Sequence, residues 1–146
     1  MQIQIIDPRL NKDSFKPATK GSAGIDLYAV CDIQLVLRPG RQLRIYTGIK
    51  IAIPQQWVGI VSPRSSWGAK GLVLGNNIGI IDSDYRGVIS LIMLNRNKDT
   101  TIIINPMDRV AQMILVPHYE HCCVTVSEDD LEQTDRGEKG FGSTGK

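Results

Sequence analysis

With 146 residues, a formal charge of +2 and 42% hydrophobic side chains, the chain is long enough for one domain that buries a core without disulfide or metal staples. So small a charge argues against a nucleic-acid or membrane-surface partner, and no apolar run approaches the ~20 residues that a membrane-spanning helix needs. Three cysteines, of which Cys122 and Cys123 are adjacent and Cys31 stands apart, make a poor disulfide framework and point to reduced thiols in a cytoplasmic compartment.

MQIQIIDPRL at the start has no basic stretch leading into an apolar core, so no secretory signal is expected. From there, short runs rich in Val, Ile and Thr alternate with turn signals, the texture of an all-β sandwich or barrel. The early strands are expected at 2–6, 24–28, 33–37, 42–53 and 57–62. The second of these carries one carboxylate, Asp26, in an apolar run. PRSSWGAKG (63–71) follows, with one short helical turn expected at 65–70, capped by Ser65 or Ser66. Arg64 and the two hydroxyls make this stretch friendly to anions, although an ordinary capped turn explains it equally well.

Further strands are expected at 72–74, 78–81, 88–95, 101–104 and 110–117. Between them lies GNNIGIIDSDYRG (75–87), which sets Asp82, Asp84, Tyr85 and Arg86 close together ahead of an apolar strand. Alone, it reads most simply as the polar tip of a β-hairpin. Gln112 interrupts an otherwise apolar strand, and a buried amide needs partners, from protein or ligand. The cluster His118-Tyr119-Glu120-His121-Cys122-Cys123 has metal-ligand residue types, but an extended chain sends His118 and His121 to opposite faces. It reads as strand, with the last expected strand at 122–126.

The character changes at Ser127. Residues 127–146 are polar and glycine-rich, too poor in apolar surface to offset their ordering entropy. The expected division is therefore a barrel domain over 1–126 and a mobile C-terminal arm over 127–146. The arm ends in GFGSTGK (140–146), which resembles a phosphate loop in composition but lacks the following helix that such a loop requires. Its glycine-flanked backbone, Ser143, Thr144 and the cations Arg136 and Lys146 can still hold phosphate oxygens.

Five segments in order, AGIDLYA (23–29), PRSSWGAKG (63–71), GNNIGIIDSDYRG (75–87), PMDRVAQMILV (106–116) and RGEKGFGSTGK (136–146), resemble the five motifs of the trimeric dUTP nucleotidohydrolases. Their order and spacing displace the hairpin-tip reading of 75–87. One departure stands out: Arg64-Ser65-Ser66-Trp67 occupies the place where many members have Arg-Ser-Gly-Leu.

The resemblance implies a jelly-roll-like β barrel, assembled as a homotrimer whose subunits share active sites. It implies hydrolysis of dUTP to dUMP and pyrophosphate, which keeps uracil out of DNA and supplies dUMP for dTMP synthesis, in the cytoplasm or, for a viral protein, inside the host cell. Asp82 matches the general base that activates a water against the α-phosphorus. Asn76 and the backbone near Gly79, Ile80, Ile81 and Ser90 match the uracil-reading groups. Tyr85 matches the residue that stacks on the deoxyribose. Arg64, Ser65, Ser66 and Gln112 match groups along the phosphates, while Arg136, Phe141, Gly142, Ser143 and Thr144 match the arm that closes over the substrate. Mg2+ is implied on the triphosphate, with Asp26 holding it through water or orienting its neighbours. Asp84 and Arg86 are expected to form structural pairs around the turn. The same fold also hosts dCTP deaminases, and a non-catalytic nucleotide-binding module would keep the pocket. The residues around Asp82 and Tyr85 favour the hydrolase.

Overall fold

Residues 88–95 show how the sequence builds the sheets. Ile89, Leu91, Met93 and Asn95 are buried, while Val88, Ser90, Ile92 and Leu94 face outward. This alternation at period two fixes which face meets the core. The computed structural model describes residues 1–119, 125–127, 131, 132, 134, 135, 137 and 138.

Ten strands are present among the described residues. They are β1 (Gln2–Ile5), β2 (Ile25–Tyr28), β3 (Leu35–Leu37), β4 (Gln42–Ala52), β5 (Trp57–Pro63), β6 (Leu72–Leu74), β7 (Gly79–Ile81), β8 (Val88–Asn95), β9 (Ile102–Ile104) and β10 (Arg109–Pro117). They form a four-stranded sheet in the order β1-β4-β8-β6, a second in the order β2-β10-β5-β7, and a two-stranded ribbon β3-β9. Every pairing is antiparallel. From β4 to β8 the chain changes sheet at each connection, the jelly-roll habit. Ile45, Ile49, Ile89 and Met93 from the first sheet meet Leu27, Val61, Val110 and Met113 from the second in one core.

The short helix α1 (Ser65–Ala69) forms where expected, but its cap differs. Arg64 occupies the N-cap position and no side chain caps it; neither Ser65 nor Ser66 does, because the helix starts at Ser65 and leaves both serines inside its first turn. A 3-10 turn at Lys12–Phe15, unforeseen in the sequence, is held by a reciprocal capping box between Asn11 and Ser14.

One irregularity in β10 bears on the site. Arg109 lies opposite Tyr28 and Ala111 opposite Leu27, so Val110 is the extra residue of a β-bulge. Accordingly Val110 and Ala111, though adjacent, are both fully buried.

Cys31 is a free thiol whose pKa is pushed up by burial. Cys122 and Cys123 lie outside the described residues. So do residues 122–124 of the strand expected at 122–126, and residues 125 and 126 are not in a strand. Of the expected arm, residues 128–130, 133, 136 and 139–146 lie outside as well. His118 bonds through Nδ1 to the Tyr119 carbonyl at 2.9 Å, and the rest of the His/Cys cluster is likewise undescribed. No described helix is long and apolar enough to cross a membrane.

Candidate active site

Two clefts collect most of the described site residues, and they share no lining residue. The first, of about 120 Å³, opens between β7 and β8, with Asn76, Gly79, Ile81 and Ser90 on its rim and Val61 and Leu74 among its walls. A simple hairpin with 75–87 at its tip would pair its flanking strands, yet β7 and β8 do not pair. β7 pairs with β5 in one sheet, while β8 pairs with β4 and β6 in the other. The two strands therefore splay. β7 is the last strand of its sheet, so its outer edge presents unpaired peptide groups. On the β8 side, pairing with β6 reaches only Met93, extended by Gly75 N–H to the Ile92 carbonyl at 2.8 Å. Backbone near Ser90 is thereby left facing the gap, as is the outer edge of Gly79–Ile81. Free donors and acceptors on both walls of a narrow slot suit a flat heterocycle with polar edges.

The rim is braced locally. Asn76 Nδ2 donates to the Ile78 carbonyl at 3.1 Å, which commits one amide donor to the loop. A β-carbon on Gly79 would lie 3.0 Å from Val61 Cβ, so only glycine lets β7 come this close to β5 without displacement. The Ile80 side chain is exposed, and its backbone is what the slot can use.

The turn after β7 holds the acid and the phenol. Tyr85 N–H donates to the Asp82 carbonyl at 3.2 Å, and the Tyr85 hydroxyl donates to the Val88 carbonyl at 3.3 Å. These bonds fix the ring against the start of β8. Gly87 makes room for it, since a β-carbon there would collide with the phenol. The Asp82 carboxylate is exposed and, among the described residues, carries no hydrogen bond or ion pair, so both oxygens are available to a water. Arg86 braces this turn as expected but does so through carbonyls, donating from Nη1 to Ser83 and Tyr85 at 2.6 and 2.9 Å. Asp84 takes no part in that brace, and no ion pair joins it to Arg86.

The second cleft, of about 180 Å³, brings together Asp26, Arg64 and Gln112 with Ser22, Gly24 and Lys16. Asp26 and Gln112 are direct partners across β2 and β10, and Gln112 also lies opposite Ser62 on β5. One sheet thus delivers the amide, the carboxylate and, just beyond β5, the guanidinium. Arg64 Nε lies 3.2 Å from Asp26 Oδ1, and Arg109 Nη1 lies 3.1 Å from Asp26 Oδ2. Arg109 and Lys16 were not singled out by the sequence. Ser65 and Ser66 follow Arg64 on α1 but do not line this cleft.

As a cation site the cleft is sparse. Among the described residues no three His, Cys, Asp or Glu side chains converge, and both oxygens of Asp26 face guanidinium groups. This donor set fits Mg2+ only as a cation carried on phosphate oxygens and reached through water. A broader groove of about 530 Å³ lies along Gln2, Ile3, Lys50 and Arg86. It holds no carboxylate, hydroxyl or imidazole, so size alone does not locate the chemistry here.

A model of the dUTPase family matches residues 11–145. The chain belongs to the dUTPase family. It is 43% identical over a 148-residue alignment to the deoxyuridine 5'-triphosphate nucleotidohydrolase of Paraburkholderia phymatum, covering 100% of this chain and 98% of that one. It is 44% identical over 149 aligned residues to the enzyme of the same name from Nitrosomonas eutropha, covering 100% and 97%. Among solved structures, the Staphylococcus bacteriophage 80alpha dUTPase with dUPNHPP superposes with a TM-score of 0.84 at 25% identity, over 99% of this chain and 97% of that one. A dUTPase from phage phi11 of S. aureus, whose structure is described as coordinating a structural Mg(II) ion, shares the fold at a TM-score of 0.75 and 22% identity, over 89% of this chain and 98% of that one. The jelly-roll-like architecture of this dUTPase is thus that of its structural neighbours.

Proposed function

We propose that this dUTPase hydrolyses dUTP to dUMP and pyrophosphate by in-line attack of water on the α-phosphorus, with Asp82 as general base. The carrying observation is the splayed pair β7 and β8, whose unpaired backbone lines a slot beside an exposed, unencumbered Asp82. Uracil enters the slot, where peptide groups near Gly79, Ile80, Ile81 and Ser90, with Asn76, read its edge. Cytosine reverses the donor and acceptor pattern and leaves buried groups unpaired, a mismatch that rejects an analogue by roughly 10⁴-fold. Tyr85 packs on the deoxyribose and excludes a 2′-hydroxyl.

Asp82 accepts a proton from the attacking water as its oxygen bonds to the α-phosphorus; the bond from that phosphorus to the bridging oxygen breaks, and pyrophosphate leaves with the bond electrons. Arg64, Ser65, Ser66 and Gln112 hold the phosphates. Asp26 would hold a substrate-borne Mg2+ through water, and the ion would there offset phosphate charge. Arg136, Phe141, Gly142, Ser143 and Thr144, outside the described residues, complete the site from the C-terminal arm.

The two clefts sharing no lining residue supports a homotrimer in which one subunit reads the base and another grips the phosphates. Location in the cytoplasm, or within a host cell for a viral protein, suits a nucleotide substrate. Pyrophosphate release from dUTP, dTTP, dCTP and UTP tests the reading. Release from dUTP alone is expected, and ammonia release from dCTP would replace the hydrolase with a deaminase.

A further inference from the structure

Gln112 faces the phosphate cleft, so strict alternation along β10 would send Val110 to the same side and Arg109 to the core side with Ala111 and Met113. The bulge at Val110 reverses this. Val110 turns inward and is fully buried, while Arg109 turns outward with Nη1 at 3.1 Å from Asp26 Oδ2. Bulges beside active sites commonly re-aim a side chain, and the re-aimed one here meets a carboxylate already in use. Asp26 Oδ1 holds Arg64 Nε at 3.2 Å, and the side-chain exposures run 21% for Asp26, 32% for Arg64 and 49% for Arg109. A carboxylate with one partner can rotate and present either oxygen. Two cations on opposite oxygens fix its plane. Because Arg64 is held through Nε, both of its terminal nitrogens remain for a ligand.

We infer that Arg109 is a positioning residue: it pins Asp26 so that Asp26 in turn aims the terminal nitrogens of Arg64 at phosphate oxygens, without itself touching the nucleotide. This rests on the reading of the cleft as the triphosphate grip. The bulge is then part of the active site, since without it the second cation would point into the core.

The test uses the full chain with Arg109→Met, Arg109→Lys, Arg64→Met and the double variant R109M/R64M. Readouts are kcat and KM for dUTP, affinity for inorganic tripolyphosphate, affinity for deoxyuridine, and melting temperature. R109M is expected to lose roughly tenfold to a hundredfold in kcat/KM and a similar factor in tripolyphosphate affinity, with deoxyuridine affinity and melting temperature unchanged. R109K should recover most of the loss, because the contact uses a single nitrogen. The double variant should be no worse than R64M, as expected for groups acting in series.

A change under about twofold in R109M while R64M is crippled would overturn the inference and leave the phosphate cleft standing. Silence of R64M as well would remove the cleft reading itself. Equal loss of deoxyuridine affinity, or R109K no better than R109M, would assign Arg109 a merely structural part. If R109M does not fold, Asp26→Asn decides: normal tripolyphosphate affinity in that variant overturns the inference.

Discussion

The phenol of Tyr85 lies where a β-carbon on Gly87 would stand. Glycine is needed at 87 for space, because the ring that would pack on the sugar crosses over it. Gly87→Ala is therefore expected to push the phenol off its bond to the Val88 carbonyl and weaken the barrier to a 2′-hydroxyl. The ratio of kcat/KM for dUTP over UTP should fall by roughly tenfold or more, with little change in melting temperature. An unchanged ratio would separate Tyr85 from sugar selection.

Asp82→Asn keeps the shape of the turn and removes the proton acceptor. Turnover should fall by roughly 10²–10⁴, while KM for dUTP changes little, because the slot reads the base through other groups. Rapid quench with the α-phosphate labelled measures this directly, and wild-type turnover in the variant would remove Asp82 from the mechanism.

If base slot and phosphate grip come from different subunits, two inactive variants can rescue each other. Asp82→Asn and Arg64→Met, each nearly silent alone, should regain hydrolysis when co-refolded, since some mixed sites carry neither lesion. Mixtures that stay as inactive as their parents would place both halves of the site in one chain.

Every buried core side chain among the described residues lies between Leu10 and Met113. Deleting 136–146 should therefore cripple dUTP hydrolysis while leaving the melting temperature within a few degrees, and a collapse in thermal stability would give those residues a core role instead.

Strong acid should loosen the N-terminal segment. Arg9 Nε and Nη2 both donate to Asp7 at 2.9 Å, and Arg9 Nη1 donates to the Cys31 carbonyl at 2.8 Å. The hydrogen bond from Arg9 holds the Asp7 carboxyl below its ordinary 3.8. A lowered carboxylate contributes stability that is present above the ordinary value and lost as pH falls through the folded one. Melting curves should show Asp7→Asn losing less stability than the wild type on acidification below about pH 4. Parallel pH profiles would contradict this.

The strands were legible because alternation in runs such as 88–95 and turn residues such as Pro54 and Asn105 act locally. Three features were not. The bulge at Val110 breaks the parity on which face assignment rests, which hid Arg109. The splaying of β7 from β8 depends on which sheet each strand joins, a long-range choice that a GNN-to-DYRG turn does not encode. The helix cap fell to Arg64 because Ser65 and Ser66 lie one and two positions inside the helix. Within the site, Asp26 and Gln112 were visible as polar residues in apolar strands and Arg64 as a donor in an anion-friendly turn, and only the pairing of β2, β10 and β5 made them neighbours.

Because one lip of the uracil slot is carried on β5 and the other on β4 and β6, its aperture is set by the girth of the barrel. Trimming a core side chain such as Met113, which lies behind the slot opposite its wall residue Val61 on β5, should narrow the distance between the sheets and be felt as altered pyrimidine fidelity before it is felt as unfolding.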